Sequence, residues 1–393
     1  VGDLVEIHRR GQPPLLAEVV GFQDQRATLL PFGSTAGLSA EDRVCATGEV
    51  LKITFGPSLL GRVLDGLGRP LDDGPRLQGT QLNVMRPSPN PLCRPRIEKP
   101  MAVGIRAIDA LLTVGTGQRV GLFAASGVGK SSLLGQIARQ ADADVFVVCL
   151  VGERGKELVE FLDDALGPQG RARGVVVCAT SDSPALLRMK SAYVATAIAE
   201  GFRDQGMRVL LLMDNITRFA RAAREVGLAA GEAPARRGYP PSVFASLPPL
   251  LERYGTTTDG SITAFITVLV ESDDLDEPIS DEVRGLLDAH IVLSRELANR
   301  GHWPAVDILK SLSRSMEHVT GQVHQQAAQR AREHLANYQS KRDLFALGAY
   351  SRGTDPAFDA ALDRIEPLSR FLRQSNREKS DYESSIERLK RLV

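Results

Sequence analysis

Four cysteines in 393 residues, Cys45, Cys93, Cys149 and Cys178, lie far apart and form no Cys-x-x-Cys pair. That spacing excludes a disulfide-stapled fold and suits a reducing compartment, so the expected location is cytoplasmic. Aromatic residues make up only 5% of the chain, Trp303 is the single tryptophan, and the first 80 residues hold only Phe22, Phe32 and Phe55. So few aromatics do not furnish the stacking platforms of a single-stranded nucleic-acid module. Lysine plus arginine (48) cancels aspartate plus glutamate (48), so no overall field draws in nucleic acid or an acidic membrane. The longest apolar runs, Val145–Val151 and Val209–Met213, are far short of the roughly 18 residues a bilayer span needs, and no signal peptide opens the chain. Internal repeats and low-complexity tracts are lacking too. The chain starts at Val1 and enters the strand-like Asp3–Ile7 at once, which predicts that the natural protein extends further upstream.

What is present is an ordinary globular balance, 43% apolar and 24% charged, at a length that favours two or three domains. Short alternating runs punctuated by Gly and Pro predict a compact antiparallel β unit, a small barrel, over residues 1–82. The proline-rich stretch from Arg86 to Pro100 reads as an extended connector. Residues 83–320 then read as a second domain, with buried strands at Arg119–Ala124, Val145–Val151, Val175–Ala179, Val209–Met213 and Ser261–Val270. Amphipathic stretches between them predict an α/β fold with a mainly parallel sheet covered on both faces. Residues 321–393 form a third, helical unit, with helices at Gln322–Gln339, Asp355–Gln374 and Asp381–Leu392. Its 13 basic and 10 acidic residues make it a helical cap and not a polyelectrolyte tail.

Ala124-Ala-Ser-Gly-Val-Gly-Lys-Ser131 lies between the strand Arg119–Phe123 and the predicted helix Ser132–Gln140. A loop of small residues lets backbone N–H groups from Ala125, Ser126, Gly127, Val128 and Gly129 curl round a polyphosphate, and the helix start at Ser132 adds partial positive charge. Lys130 would reach the β and γ phosphates of ATP, and Ser131 would place its hydroxyl on Mg²⁺. The strict pattern has Gly where Ala124 stands; alanine is nearly as small. Asp214 follows the apolar strand Val209–Met213, and ligands of open α/β sheets sit beyond such strand ends, so it can face the loop as the acidic metal-site residue. An Asp there also serves as a helix N-cap. Glu153 follows another apolar strand and is the candidate for polarising the attacking water; a surface carboxylate paired with Arg154 is the other reading.

These residues together resemble the hexameric rotary-type ATPases related to the catalytic beta subunit of ATP synthase, and within them the type III secretion ATPases. The matching stretches are Pro31–Thr35, Leu60–Pro70, Gly127–Ser131, Val151–Arg154, Met213–Phe219, Arg237–Phe244, Asp288–Arg295 and Ser311–Arg314. The resemblance runs along nearly the whole chain and weakens after Gly321. It implies a RecA-type P-loop core between an N-terminal β-barrel and a C-terminal helical domain. It assigns Lys130 and Ser131 to phosphate and magnesium, Glu153 to water activation and Asp214 to the metal site. Arg154 and Arg218 match the arginines that read the γ phosphate, and Arg314 the arginine finger that enters a neighbouring subunit's site. For each arginine an ion pair is the alternative. Trp303 matches the aromatic that packs on adenine, with a half-buried tryptophan at a subunit face as the other reading. Ala125 and Ala289 depart from frequent glycines without removing a functional atom.

The implied activity is magnesium-dependent hydrolysis of ATP to ADP and phosphate, energising type III protein export by chaperone release and substrate unfolding. The implied partners are further copies in a homohexamer, a stalk protein in the ring lumen, a peripheral stator or regulator, export-gate components and chaperone–effector complexes, with no nucleic acid. The expected place is peripheral to the inner membrane. The acidic stretch Glu271–Glu277 reads as a solvated turn, or by resemblance as a contact between lumen and stalk. Asp281–Arg284 leans to the injectisome branch; the flagellar export ATPase, a rotary synthase subunit and a hexameric RNA translocase are the alternatives. The six histidines, among them His302, His318 and His324, lack metal-ligand spacing and are expected at the surface or an interface.

Overall fold

The computed structural model describes residues 1–270 and 277–393, so the acidic stretch expected at a stalk lies, apart from Glu277, outside the described residues. Strands β1 (Asp3–His8), β2 (Leu15–Gln23), β3 (Arg26–Pro31) and β4 (Arg43–Val50) pair antiparallel in the order β3-β2-β1-β4. Alternation places Val5, Ile7, Leu15, Ala17 and Val19 in a small core of their own. The next segment leans on the central domain. β5 (Lys52–Phe55) and β7 (Thr80–Asn83) pair antiparallel, while β6 (Val63–Leu64) joins the central sheet. β8 (Pro100–Met101) and β9 (Val114–Gly115) flank α1 (Arg106–Leu111).

The central sheet is built from β10 (Arg119–Ala124), β11 (Val145–Glu153), β12 (Gly174–Thr180), β13 (Arg208–Asp214), β14 (Gly255–Thr256), β15 (Ser261–Leu269), β16 (Ala289–Leu293) and β17 (Val306–Ser313). Its order is β17-β16-β10-β15-β13-β11-β12-β6, parallel from β16 to β6, with β17 antiparallel at one edge and β14 pairing antiparallel with β15. Every residue of β11 is buried; its apolar run Val145–Val151 is what a doubly covered sheet requires, and the buried Glu153 ends it. Helices α2 (Lys130–Gln140), α3 (Gly155–Glu160), α4 (Gly167–Arg171), α5 (Ala185–Arg203), α6 (Ile216–Ala229), α7 (Pro241–Leu251), α8 (Pro278–Leu286), α9 (Arg295–Asn299) and α10 (Met316–Val319) surround it. Small residues such as Ala192, Ala195 and Ala199 let α5 sit close on the sheet, and Phe55 meets Phe202 of α5 edge-on with ring centroids 5.0 Å apart. The buried pair Lys190–Glu18, at 2.7 Å, ties β2 to the same helix.

The C-terminal helices are α11 (Gln322–Ala346), α12 (Pro356–Leu372) and α13 (Tyr382–Leu392). α11 runs past its expected end at Gln339, because residues 340–346 contain no Gly or Pro and the stop comes only near Gly348, at positive φ. Asp355 caps α12 through the N–H groups of Ala357 and Phe358, with Pro356 in the first turn, and Asp381 caps α13 through Ser384 N–H. Phe358 packs edge-on to Tyr350 at 4.6 Å. The histidine expectation is corrected for two residues: His302 and His324 are buried, and His324 Nε2 lies 2.8 Å from the Ala110 carbonyl, a contact between α11 and α1 that only tertiary packing creates.

Candidate active site

β10 delivers the chain at Ala124 to a loop that turns into α2 at Lys130. Gly127 and Gly129 both stand at φ +82°, a left-handed conformation that side chains resist, which explains glycine at these two positions. Ala124 and Ala125 are buried and do not have positive φ, so alanine in place of glycine costs the loop nothing there. Gly129 caps α2 without a side-chain hydrogen bond, leaving first-turn N–H groups to face an anion. Ser126, Ser131 and Ser132 are exposed at the loop mouth, while Val128 anchors the loop in the core.

Three neighbouring strands bring the charged groups to this loop. Asp214, at the end of β13, accepts hydrogen bonds from Lys130 Nζ at 2.5 Å and from Thr267 Oγ1 of β15 at 2.7 Å. It is not the helix cap: Asn215 fills that place, its Oδ1 accepting Arg218 N–H at 2.8 Å. At the end of β11 the register against β12 shifts at Gly152, whose φ of +66° forms a bulge that turns Glu153 into the cleft. Glu153 is 7% exposed. Its Oε2 pairs with Arg218 at 2.7 Å, and its Oε1 accepts Asn215 Nδ2 at 3.3 Å and lies 3.8 Å from Lys130 Nζ. Burial, a hydrogen bond to the Glu157 carboxyl and the Asp214 charge push the Glu153 carboxyl up to about 7, against the pull of Lys130 and Arg218. The same bond to Glu153 holds Glu157 below the usual carboxylate range.

Lys130, Glu153, Asp214 and Arg218 therefore share one cleft, and Ser131 is exposed at the mouth of the loop beside Lys130. Two predicted arginines stand outside the cleft. The Arg154 side chain is 80% exposed, with Glu157 4.0 Å away as its ion-pair partner. Arg314 is exposed beyond the end of β17. Because β17 is antiparallel, with Ser313 opposite Ala289 and Val306 opposite Leu293, Arg314 lies at the pole where the parallel strands begin. Roughly 15–20 Å of strand separate that pole from the chain's own phosphate loop. Trp303 sits against the loop: a Cβ on Gly129 would stand 2.6 Å from Trp303 Cζ3. Beside it opens a cavity of about 390 Å³ between the loop, Trp303–Ala305 and Gln374–Asn376. Sequence reasoning missed Asn215, Thr267, Glu157 and Gln374. Asn215 alone had a local signal, as the N-cap type before the apolar run of α6.

The metal-ligating groups around the loop are oxygens, the Ser131 hydroxyl and the Asp214 and Glu153 carboxylates, which suit a hard divalent cation. Among the described residues no three His, Cys, Asp or Glu side chains converge on a metal position, so such an ion would be held chiefly by the nucleotide's own phosphates. Among the described residues, too, no helix is long and apolar enough to cross a membrane.

Residues 104–313 match the nucleotide-binding domain of the ATP synthase alpha/beta family, residues 2–48 its beta-barrel domain, and residues 320–391 the T3SS EscN ATPase C-terminal domain. A type 3 secretion system ATPase of Xanthomonas euvesicatoria is 52% identical over 391 residues, covering 99% of this chain and 88% of the relative. A flagellum-specific ATP synthase of Bacillus subtilis is 51% identical over 396 residues, covering 100% and 90%. Among solved structures, the assembled ATPase EscN of the enteropathogenic E. coli type III secretion system superposes with a TM-score of 0.94 at 45% identity, covering 100% of this chain and 98% of that one. EscN in complex with its central stalk EscO gives 0.91 at 45% identity, again covering 100% and 98%.

Proposed function

Because this chain belongs to the ATP synthase alpha/beta family, in the branch of the type III secretion ATPases, and is an ATPase energising type III export, we propose how its own residues divide the work of hydrolysis. The observation that carries the reading is the Lys130 ammonium held between Asp214 and Glu153, beside a helix start with free N–H groups. Lys130 and the backbone from Ala125 to Ser132 bind the phosphates of ATP. Ser131 and Asp214 would hold Mg²⁺ together with the nucleotide, and the ion would supply charge neutralisation at the phosphates. Glu153 accepts the proton of the attacking water, with Asn215 and Arg218 holding its carboxylate in place. Arg218 also reaches toward the γ phosphate, and Trp303 packs on adenine.

Arg314, at the far pole of its own sheet, acts on a neighbouring copy, so the working unit is a ring, here a homohexamer. Arg154, exposed at the rim of the cleft, turns toward the γ phosphate when substrate binds. The likeness to EscN assembled on its central stalk supports a stalk partner in the lumen. A stator or regulator, export-gate components and chaperone–effector complexes complete the partners, at the cytoplasmic face of the inner membrane. The same chemistry in a flagellar export apparatus is the second reading, favoured by the 51% identity to the Bacillus subtilis protein. The test is Glu153→Gln. It keeps ATP binding and lowers turnover by at least about a hundredfold, within the usual yield of general-base catalysis. Near-normal turnover in that variant removes Glu153 from the role.

A further inference from the structure

Gln374, in the connection between α12 and α13, is 4% exposed, and its polar groups bond in three directions. Its backbone N–H donates to the Trp303 carbonyl at 2.8 Å. Its side-chain Oε1 accepts the Arg106 N–H at 2.9 Å, at the start of α1. Its Nε2 donates to the Gly104 carbonyl at 2.7 Å and to the Glu378 carbonyl at 3.0 Å. One buried residue thus joins the Trp303 loop through its backbone, and the central domain and the 373–378 connection through its side-chain amide. The same connection is bound to the phosphate-loop helix, since Gln140 Nε2 donates to Glu378 O and Arg139 Nη2 to Asn376 O, both at 2.9 Å. The Arg106 guanidinium adds bonds to the Phe371 and Arg373 carbonyls and an ion pair with Glu378.

Trp303–Ala305 and Gln374–Asn376 both line the cavity beside Gly127–Gly129 and are joined to each other by the Gln374 N–H bond to the Trp303 carbonyl. We propose that Gln374 is the positioning residue of the nucleotide-base pocket, setting the gap between the Trp303 wall and the 374–376 wall, so that affinity for the base depends on how the C-terminal helices dock. The inference rests on the reading of this cavity as the base site. The residue type follows from its partners. Two carbonyls face Nε2 and one N–H faces Oε1, a demand that the amide meets and that glutamate, with a charge against two acceptors, does not. Methionine has the length but none of the bonds, and asparagine is one methylene short.

The experiment compares binding of Mg-ATP and of Mg-tripolyphosphate, which has no base, to the full chain and to Gln374→Met, with Trp303 emission recorded before ligand is added. The expected result is about a tenfold weaker ATP affinity in Gln374→Met, tripolyphosphate affinity within twofold of the unsubstituted protein, and a shifted Trp303 emission. Equal ATP affinity in the two proteins overturns the proposal, and so does an equal loss for both ligands, which marks a distorted loop and not a displaced wall. If the unsubstituted protein binds ATP no more tightly than tripolyphosphate, the base-site reading itself falls, and the inference with it. Should Gln374→Met fail to fold, Gln140→Ala removes one of the bonds that tie the same connection to α2. It is expected to weaken ATP alone, by about threefold, and no selective loss there overturns the proposal.

Discussion

Gly127 and Gly129 share φ +82° yet differ in their surroundings, which turns the phosphate loop into a quantitative test. A Cβ on Gly127 meets nothing within 4 Å, whereas one on Gly129 stands 2.6 Å from Trp303 Cζ3 and 3.1 Å from Cε3. Gly127→Ala therefore bears only the cost of alanine in a left-handed conformation, about 1 kcal/mol. Gly129→Ala bears the same cost and must also push the indole aside, an overpacking term of about 1–3 kcal/mol, for a total of roughly 2–4. If the phosphates need the loop as it stands, ATP affinity falls by about fivefold in the first variant and by roughly thirtyfold to a thousandfold in the second. Isothermal titration with Mg-ATP measures both losses. Trp303, as the sole tryptophan, reports the displacement directly through its emission in Gly129→Ala and stays put in Gly127→Ala. An unmoved spectrum in Gly129→Ala, or a larger affinity loss in Gly127→Ala, would refute the packing of Trp303 on this loop.

Below about pH 7 the Glu153 carboxyl is mostly protonated, so a base acting through its carboxylate makes kcat/KM fall about tenfold per pH unit on the acid side and level off above. A flat profile from pH 5 to 8 contradicts the role. In Arg314→Ala the part of the hydrolysis rate that rises with protein concentration should vanish while ATP still binds; retention of that part would leave the residue as a surface cation. The Arg253–Glu200 pair is buried on both sides, with bonds of 2.9 and 2.6 Å. Glu200→Gln strands a buried guanidinium and should lower the unfolding free energy by about 3–5 kcal/mol, read from urea unfolding. A loss under 1 kcal/mol would show that water reaches the pair.

Much of the fold was legible because its signals are local. The five expected strands reappear within two residues of their ends, since short all-apolar runs between polar loops have few other ways to be buried. The loop from Ala124 to Ser131 was legible for the same reason: glycines at positive φ and a helix start are properties of neighbours in sequence. Glu153 and Asp214 could be named as strand-end carboxylates, but whether they meet Lys130 depends on sheet order. β15 lies between β10 and β13, with β11 next, and no local period encodes that order. Sheet order also supplies Thr267 as the partner of Asp214. The outward turn of Arg154 and the far-pole position of Arg314 likewise follow from where α3 starts and from the antiparallel run of β17. Gln374 was the least legible, because its bonds reach Gly104 and Arg106, about 270 residues back along the chain. Apolar periodicity determined the strands, and the small-residue motif ending in Lys130-Ser131 between strand and helix determined the phosphate loop and pointed to the type of chemistry. Only the tertiary structure decided which charges share the cleft, because contact between distant segments is set by burial of the whole sheet and not by any one stretch of it.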